Sequence, residues 1–231
     1  MASHTLRTLD RGLVALGLVA QADDGLKVAE IAQRLDVDRA IAYRIVATLS
    51  ENAMVQRLPD GRIILGSGAI VLAAHAEGAI RTLARPVVEH LAEQAGATAF
   101  LSMAQGAECV AILTAEPRNA FLNIHYRVGT RHPIDKGAAG LAILSGRPAH
   151  PDDPESVSAA RREGYSTTRG ELQKGAVGVS SPVTSPHGKG GAFEFSIGVV
   201  ALDDLDLDRA TGAVMQAARK LSALLGAPRP A

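Results

Sequence analysis

The side chains in this 231-residue sequence best suited to chemistry are arginines set at helical spacing in one short stretch. In the run from Val37 to Leu49 the apolar residues Val37, Ile41, Ile45 and Leu49, with Ala42 and Val46 alongside, fall on one side of a helix. Arg39, Ala40, Tyr43, Arg44 and Ala47 are left on the other. A guanidinium is a planar fork of donors that matches phosphate oxygens or the acceptor edge of guanine. Alanines between such arginines let a helix backbone come close to a groove and can touch a thymine methyl. Arg57 and Arg62 flank the turn Pro59-Asp60-Gly61, from which they could reach phosphate or a neighbouring minor groove. Arg39, Ala40, Tyr43, Arg44, Arg57 and Arg62 are therefore the candidate DNA contacts. The competing reading is an ordinary solvated helix on a small bundle, because arginines are mostly found at the surface.

Other chemistry is thinly represented. Cys109 is the only cysteine, so a disulfide framework or cysteine-cluster zinc site within one chain is ruled out. With His125 and His132 as the nearest histidines, a Cys-His pair for a hydrolytic enzyme is conceivable. Against it, Cys109 begins the apolar run Val110-Ala111-Ile112-Leu113, where a cysteine is usually a small buried apolar group. The seven histidines show no HExxH or comparable spacing, and no phosphate-loop motif occurs. Gly188-Lys189-Gly190-Gly191 lacks a following helix and reads as a hairpin turn. His75, His132 and Glu194 could share a metal, but nothing in their spacing favours it. No cofactor, no metal and no enzymatic activity are expected.

Elements that would position the arginines can be read on either side of them. Leu6, Leu9, Leu13, Leu16 and Val19 or Ala20 repeat at three and four residues, predicting an amphipathic helix from Leu6 to Ala22. Val28 to Leu35 reads as a second helix, Asp36-Val37-Asp38 as a turn with Asp38 as N-cap, and about Arg39 to Asn52 as a third. Two β-prone runs around Pro59-Asp60-Gly61 form a hairpin over Val55 to Gly66, glycine taking the positive φ of the turn. Three helices and a hairpin make a winged helix-turn-helix, whose last helix can enter a DNA major groove. A mostly helical stretch follows to about Gln94. Strands are then expected at Ala97 to Ala104, Cys109 to Ala115, Phe121 to Arg127, Val177 to Thr184 and Ala192 to Leu202. Helices are expected at Ala138 to Leu144, Glu155 to Glu163 and Asp206 to Leu225, with a loose tail over Ala227 to Ala231.

Composition narrows the class. Lys and Arg total 24 and so do Asp and Glu, which excludes a broadly basic nucleic-acid binder. Aromatics are 3 % with no Trp, which argues against a platform that stacks single-stranded bases. Positive charge gathers only locally: residues 39–66 hold four basic and two acidic side chains. The polar stretch Met1 to Asp10 and the lack of 18 consecutive apolar residues predict a cytoplasmic protein without a membrane segment.

At this point the sequence resembles the IclR-type bacterial transcriptional regulators. The carriers are Val28-Ala29-Glu30-Ile31-Ala32, Tyr43 to Leu49 and Pro59 to Gly68 in the first part. In the second they are Gly129-Thr130-Arg131-His132-Pro133-Ile134, Ala138 to Ala142, Arg162-Glu163-Gly164-Tyr165, Glu171, Gly175 and Val179 to Val183. Each is weak alone, while their order and spacing together are specific. The resemblance implies a two-domain α+β protein: a winged helix-turn-helix (1–66), a helical linker (67–95) and a profilin-like or GAF-like αβ domain (96–231) that binds a small organic effector. It also implies a homodimer or homotetramer acting on a palindromic double-stranded operator, here expected to act as a repressor. Where the family often has Ser-Thr early in the recognition helix, this chain has Ala40 and Ile41, so phosphate anchoring falls to Arg39, Arg44 and the wing. The family's frequent small-residue-Gly-Lys-Ala run is likewise replaced, by Gly140-Leu141-Ala142 after Asp135-Lys136.

The same resemblance places the effector against Lys136, Gly137, Ala138, Ala139, Thr168, Ala176, Gly178, Glu194 and Ser196. Bare amides at a helix start over Gly137-Ala138-Ala139-Gly140 would suit a carboxylate, while the alternative is that small residues allow helix and sheet to pack closely. Alternation in Phe193 to Ile197 puts Glu194 and Ser196 on one strand face, either lining the pocket or exposed. A Glu194 in the pocket would disfavour an anionic effector. Rival readings are a sensor module acting through protein contacts and a hydrolytic enzyme.

Overall fold

The computed structural model describes residues 6–118, 124, 126–184 and 194–226. The chain divides into two compact units, 1–78 and 79–231, considered separately here.

In the first unit, α1 (Arg7–Ala20), α2 (Val28–Arg34) and α3 (Arg39–Glu51) surround a core in which Ala15, Val19, Ile31, Ala42, Ile45, Val46, Val55 and Ile63 are buried. Strands β2 (Val55–Arg57) and β3 (Arg62–Leu65) form the expected hairpin, and β1 (Leu26–Lys27) adds a short third strand beside β3. Gly61 turns the hairpin at φ +87°. Two local expectations fail. Asp38 stands at the N-cap of α3, yet its carboxylate makes no cap hydrogen bond; its carbonyl oxygen instead accepts from the Ile41 and Ala42 amides. The leucine repeat of α1 is not its buried face: Leu6, Leu9 and Leu13 are 74, 59 and 59 % exposed, while Ala15 and Val19 face the core.

Helix α4 (Ser67–Ala95) covers the expected linker, and from Ile80 onward its apolar face belongs to the core of the second unit. That unit is built on a six-stranded antiparallel sheet in the order β6-β5-β4-β9-β8-β7. Its strands are β4 (Thr98–Gln105), β5 (Glu108–Ala115), β6 (Arg131–Pro133), β7 (Ser166–Arg169), β8 (Ala176–Val183) and β9 (Phe195–Leu202). Val88 and Leu91 of α4 and Val214 and Leu221 of α7 (Leu207–Gly226) pack with Leu101, Val179, Ile197 and Val199 in one core cluster. Ala139 and Ile143 of α5 (Gly137–Gly146) pack with Phe100, Cys109 and Ile134 in a second cluster. Helix α6 (Glu155–Glu163) packs against α5 and β7.

Strands β6 and β7 lie at the two edges of the sheet and carry mostly polar residues, so no apolar run marks them. Most of the strand expected at Phe121 to Arg127 lies outside the described residues, and Ile124, Tyr126 and Arg127 are in no strand. The Gly188-Lys189-Gly190-Gly191 turn and the tail after Gly226 also lie outside them. Phe195 to Val199 are all buried, so the alternation read from Phe193 to Ile197 does not mark a wet face.

Gly198 is where β9 is most tightly enclosed, by β8 and by the Phe100 ring of β4. A Cβ there would collide with the Val179 carbonyl oxygen and approach the Phe100 ring to 2.7 Å. Gly198→Ala is expected to lower stability by roughly 1–3 kcal/mol through overpacking, read as a drop in the urea midpoint at unchanged slope.

Candidate DNA-reading surface and effector cavity

Helix α3 carries its chemistry on its outer side. With Ala42, Ile45 and Val46 buried, Arg39, Ala40, Tyr43, Arg44 and Ala47 are all exposed. Arg39 and Arg44 have no ion-pair partner among the described residues, so both guanidinium forks are open to phosphate or base edges. Arg57 on the wing lies 5.6 Å from the centre of the Tyr43 ring, a cation–π contact that ties the hairpin to the helix face. Arg62 is differently placed. Its Nε lies 2.7 Å from Asp60 Oδ2 and its Nη1 donates to the Asp24 carbonyl oxygen at 2.8 Å, so it braces the hairpin. The structure therefore brings five of the six candidate DNA contacts to one surface, while Arg62, still at the surface, is engaged by acidic and carbonyl partners of the chain.

The second unit holds a cavity of about 310 Å³ between α5, β7 and β8, near the small end of ligand-site volumes. Phe100, Ile124, Tyr126, Leu172 and Val200 give it apolar walls; Thr130, Arg131, His132, Thr168, Glu171 and Gln173 give it polar atoms. The Phe100 and Tyr126 rings are tilted against each other at 5.2 Å. Arg131 is held by Glu108 at 2.9 Å and Gln105 at 2.8 Å, which offsets its charge. The start of α5 is occupied from within the chain: Glu171 Oε2 accepts the Gly137 amide and Thr168 Oγ1 the Ala138 amide, each at 3.1 Å.

Of the residues expected around an effector, Ala138, Ala139, Thr168, Ala176 and Gly178 line this cavity, and Lys136, Gly137, Glu194 and Ser196 do not. Lys136 is an exposed N-cap residue, and Gly137 is buried behind Leu172. Glu194 is turned to Arg147, which donates to its two oxygens at 2.7 and 2.5 Å in a fork-to-carboxylate pair. Ser196 is buried inside the sheet opposite Ser102. The alternation of β9 places alternate residues on opposite faces, but both faces of this strand are covered, so face alone does not lead to the cavity. Glu171, His132 and Tyr126 were not among the expected contacts. Only Glu171 and His132 carried a signal, Glu171 as a single family-like residue and His132 within the family-like run Gly129 to Ile134.

Cys109 and His132 are directly opposite across β5 and β6. Burial pushes the Cys109 thiol up to about 12, with a Ser102 hydrogen bond opposing the shift. An activated nucleophile is shifted the other way. No group of three or more His, Cys, Asp or Glu side chains among the described residues could hold a metal, and no helix there is long and apolar enough to cross a membrane.

Residues 8–59 match the family model described as the IclR helix-turn-helix domain. The HTH-type transcriptional regulator BhcR of Paracoccus denitrificans is 26 % identical over 95 % of this chain and 88 % of its own. The helix-turn-helix over residues 8–59 is of the IclR kind, and the rest of the chain is similar to IclR-family regulators. The transcriptional repressor IclR of Escherichia coli is 22 % identical over a shorter span, 62 % of this chain and 54 % of that one. Among solved structures, an IclR-family regulator from Rhodococcus sp. has a TM-score of 0.66 at 22 % identity, covering 99 % of this chain and 97 % of that one. An IclR homolog from Microbacterium hydrocarbonoxydans, solved in complex with 4-hydroxybenzoate, has a TM-score of 0.55 at 19 % identity, covering 94 % and 98 %. The two-part α/β architecture is thus that of the IclR structures.

Burial keeps the Cys109 thiol protonated in the folded chain to well above pH 9, the range in which an unfolded thiol ionises. Stability should therefore fall as pH rises from about 9 to about 12, and fall less in Cys109→Ala, as urea midpoints across that range would show. A thiol-specific reagent at neutral pH should leave the native chain unmodified and label it promptly in denaturant.

Proposed function

We propose that this chain is a transcriptional repressor that reads a palindromic operator through α3 and the wing, and whose operator affinity is set by a small organic molecule in the cavity of the second unit. The observation that carries the DNA half is the exposed, unpaired Arg39 and Arg44 on a helix whose other side is core, with Arg57 beside them on Tyr43. Backbone approach is eased by Ala40 and Ala47, which put no bulk between the helix and a groove. The 4-hydroxybenzoate complex of the Microbacterium relative and the half-apolar cavity here support the small-molecule half. The name of the Escherichia coli relative supports repression.

Action as a homodimer or homotetramer fits the exposed Leu6, Leu9 and Leu13 of α1, an apolar stripe of the kind that marks an interaction surface. Two copies related by a two-fold axis present two α3 helices to two half-sites. The chain works in this reading as a binder in the cytoplasm, without a cofactor and without catalysis. The protonated, buried Cys109 supports that side of the proposal.

Reversing charge at Arg39 and Arg44 together tests the DNA half. Titration against the DNA upstream of its own gene should show affinity down about tenfold or more, and a salt dependence reduced by about two released ions per copy. Unchanged affinity and slope in a folded double variant would mean that the winged helix serves protein contacts instead.

A further inference from the structure

Two groups of the second unit's cavity, His132 and Glu171, present acceptors rather than the free cationic donors an anion site would need, and this bears on the chemistry of the small molecule proposed to bind there, a reading on which the inference rests. His132 is 7 % exposed, and its Nδ1 lies 2.9 Å from the Pro133 carbonyl oxygen. A carbonyl oxygen only accepts, so Nδ1 carries the proton, and in the neutral ring Nε2 is left as an acceptor. Nε2 is buried and has no hydrogen-bond partner among the described residues.

The start of α5, otherwise a natural seat for a ligand carboxylate, already holds one. Glu171 takes the Gly137 amide and Thr168 the Ala138 amide. The two features meet at Gly137, where a Cβ would stand 3.5 Å from His132 Cε1 and would run into the Leu172 side chain. An incoming carboxylate would meet the Glu171 charge with the helix amides already used. Arg131 offers no relief, because Glu108 and Gln105 hold its fork.

The geometry points to an uncharged, largely apolar ligand bearing a hydroxyl. Its O–H is donated to His132 Nε2, and its body lies against Phe100 and Tyr126. Leu172, half-exposed and packed on Gly137, is the side chain that gives way as the hydroxyl reaches the imidazole. His132 then selects for the donor, and Glu171 selects against carboxylates.

Calorimetric titration of the full chain with p-cresol, its ether 4-methylanisole and 4-methylbenzoate tests this. The wild type should bind p-cresol about tenfold more tightly than the ether and 4-methylbenzoate least of the three. His132→Phe should abolish the difference between p-cresol and the ether. Glu171→Gln should raise the affinity for 4-methylbenzoate relative to that for p-cresol about tenfold. Wild-type preference for 4-methylbenzoate, or equal binding of p-cresol and the ether, would overturn the assignment and leave the effector reading standing. Binding of none of the three would overturn it together with the small-molecule half of the proposed function, while operator binding would still report on the DNA half.

Discussion

The close approach of α5 to the sheet is the constraint on which the second unit depends. Gly140 has no room for a side chain because the Ile134 carbonyl lies against it, and Gly178 faces the Ala138 methyl, where a Cβ would stand 3.2 Å away. The Ser166 hydroxyl donates to the Ala138 carbonyl oxygen at 2.6 Å, so the helix is bonded as well as packed to β7. Larger residues at these positions would lift α5 off the sheet and open the cavity floor. Small residues at the start of α5 thus serve packing, and the helix amides that packing would leave bare are taken by Glu171 and Thr168. The far end of the helix is treated in the same way. Arg161, ion-paired with Asp153 at 2.9 Å, donates to the Leu144, Ser145 and Arg147 carbonyl oxygens, placing positive charge at the negative end of the helix dipole.

Much of the first unit was legible because its signals are local. A 3.6-residue repeat separates the buried and exposed sides of α3, and Asp-Gly between two apolar runs fixes the hairpin. The leucine repeat of α1 misled for a physical reason: periodicity reports that a face is apolar, not what covers it. In this unit Ala15 and Val19 meet the core with Leu16 and Leu18 packed at its edge, while Leu6, Leu9 and Leu13 remain outside. Edge strands β6 and β7 were missed because an edge has one paired side and needs few apolar residues.

The site was less legible than the fold. Glu194 looked like a pocket residue because a carboxylate in an apolar strand needs an explanation, and the explanation is Arg147, 47 residues away. Arg62 looked like a phosphate contact, but Asp60 two residues earlier and the Asp24 carbonyl claim its fork. Both cases have one cause. A charged side chain announces that it needs a partner, and sequence does not say whether that partner lies within the chain or outside it. His132 is the converse: its strand position is unremarkable, and only the Pro133 carbonyl on Nδ1 shows that Nε2 is left as an acceptor.

The neutral composition also has a meaning once the arginines are placed. With Arg62 engaged within the chain, the proposed DNA surface is left with Arg39, Arg44 and Arg57, enough for about three phosphate contacts and a salt slope near three. The rest of the chain carries 21 basic against 24 acidic side chains and adds no general attraction. In the proposed dimeric arrangement, two copies engaging two half-sites would multiply such weak contacts through effective concentration. Such a protein is well suited to control by a ligand. A coupling of only 1–3 kcal/mol between the cavity and the DNA-competent arrangement changes operator affinity 5- to 150-fold. A broadly basic surface would bind DNA in either arrangement and blunt that response.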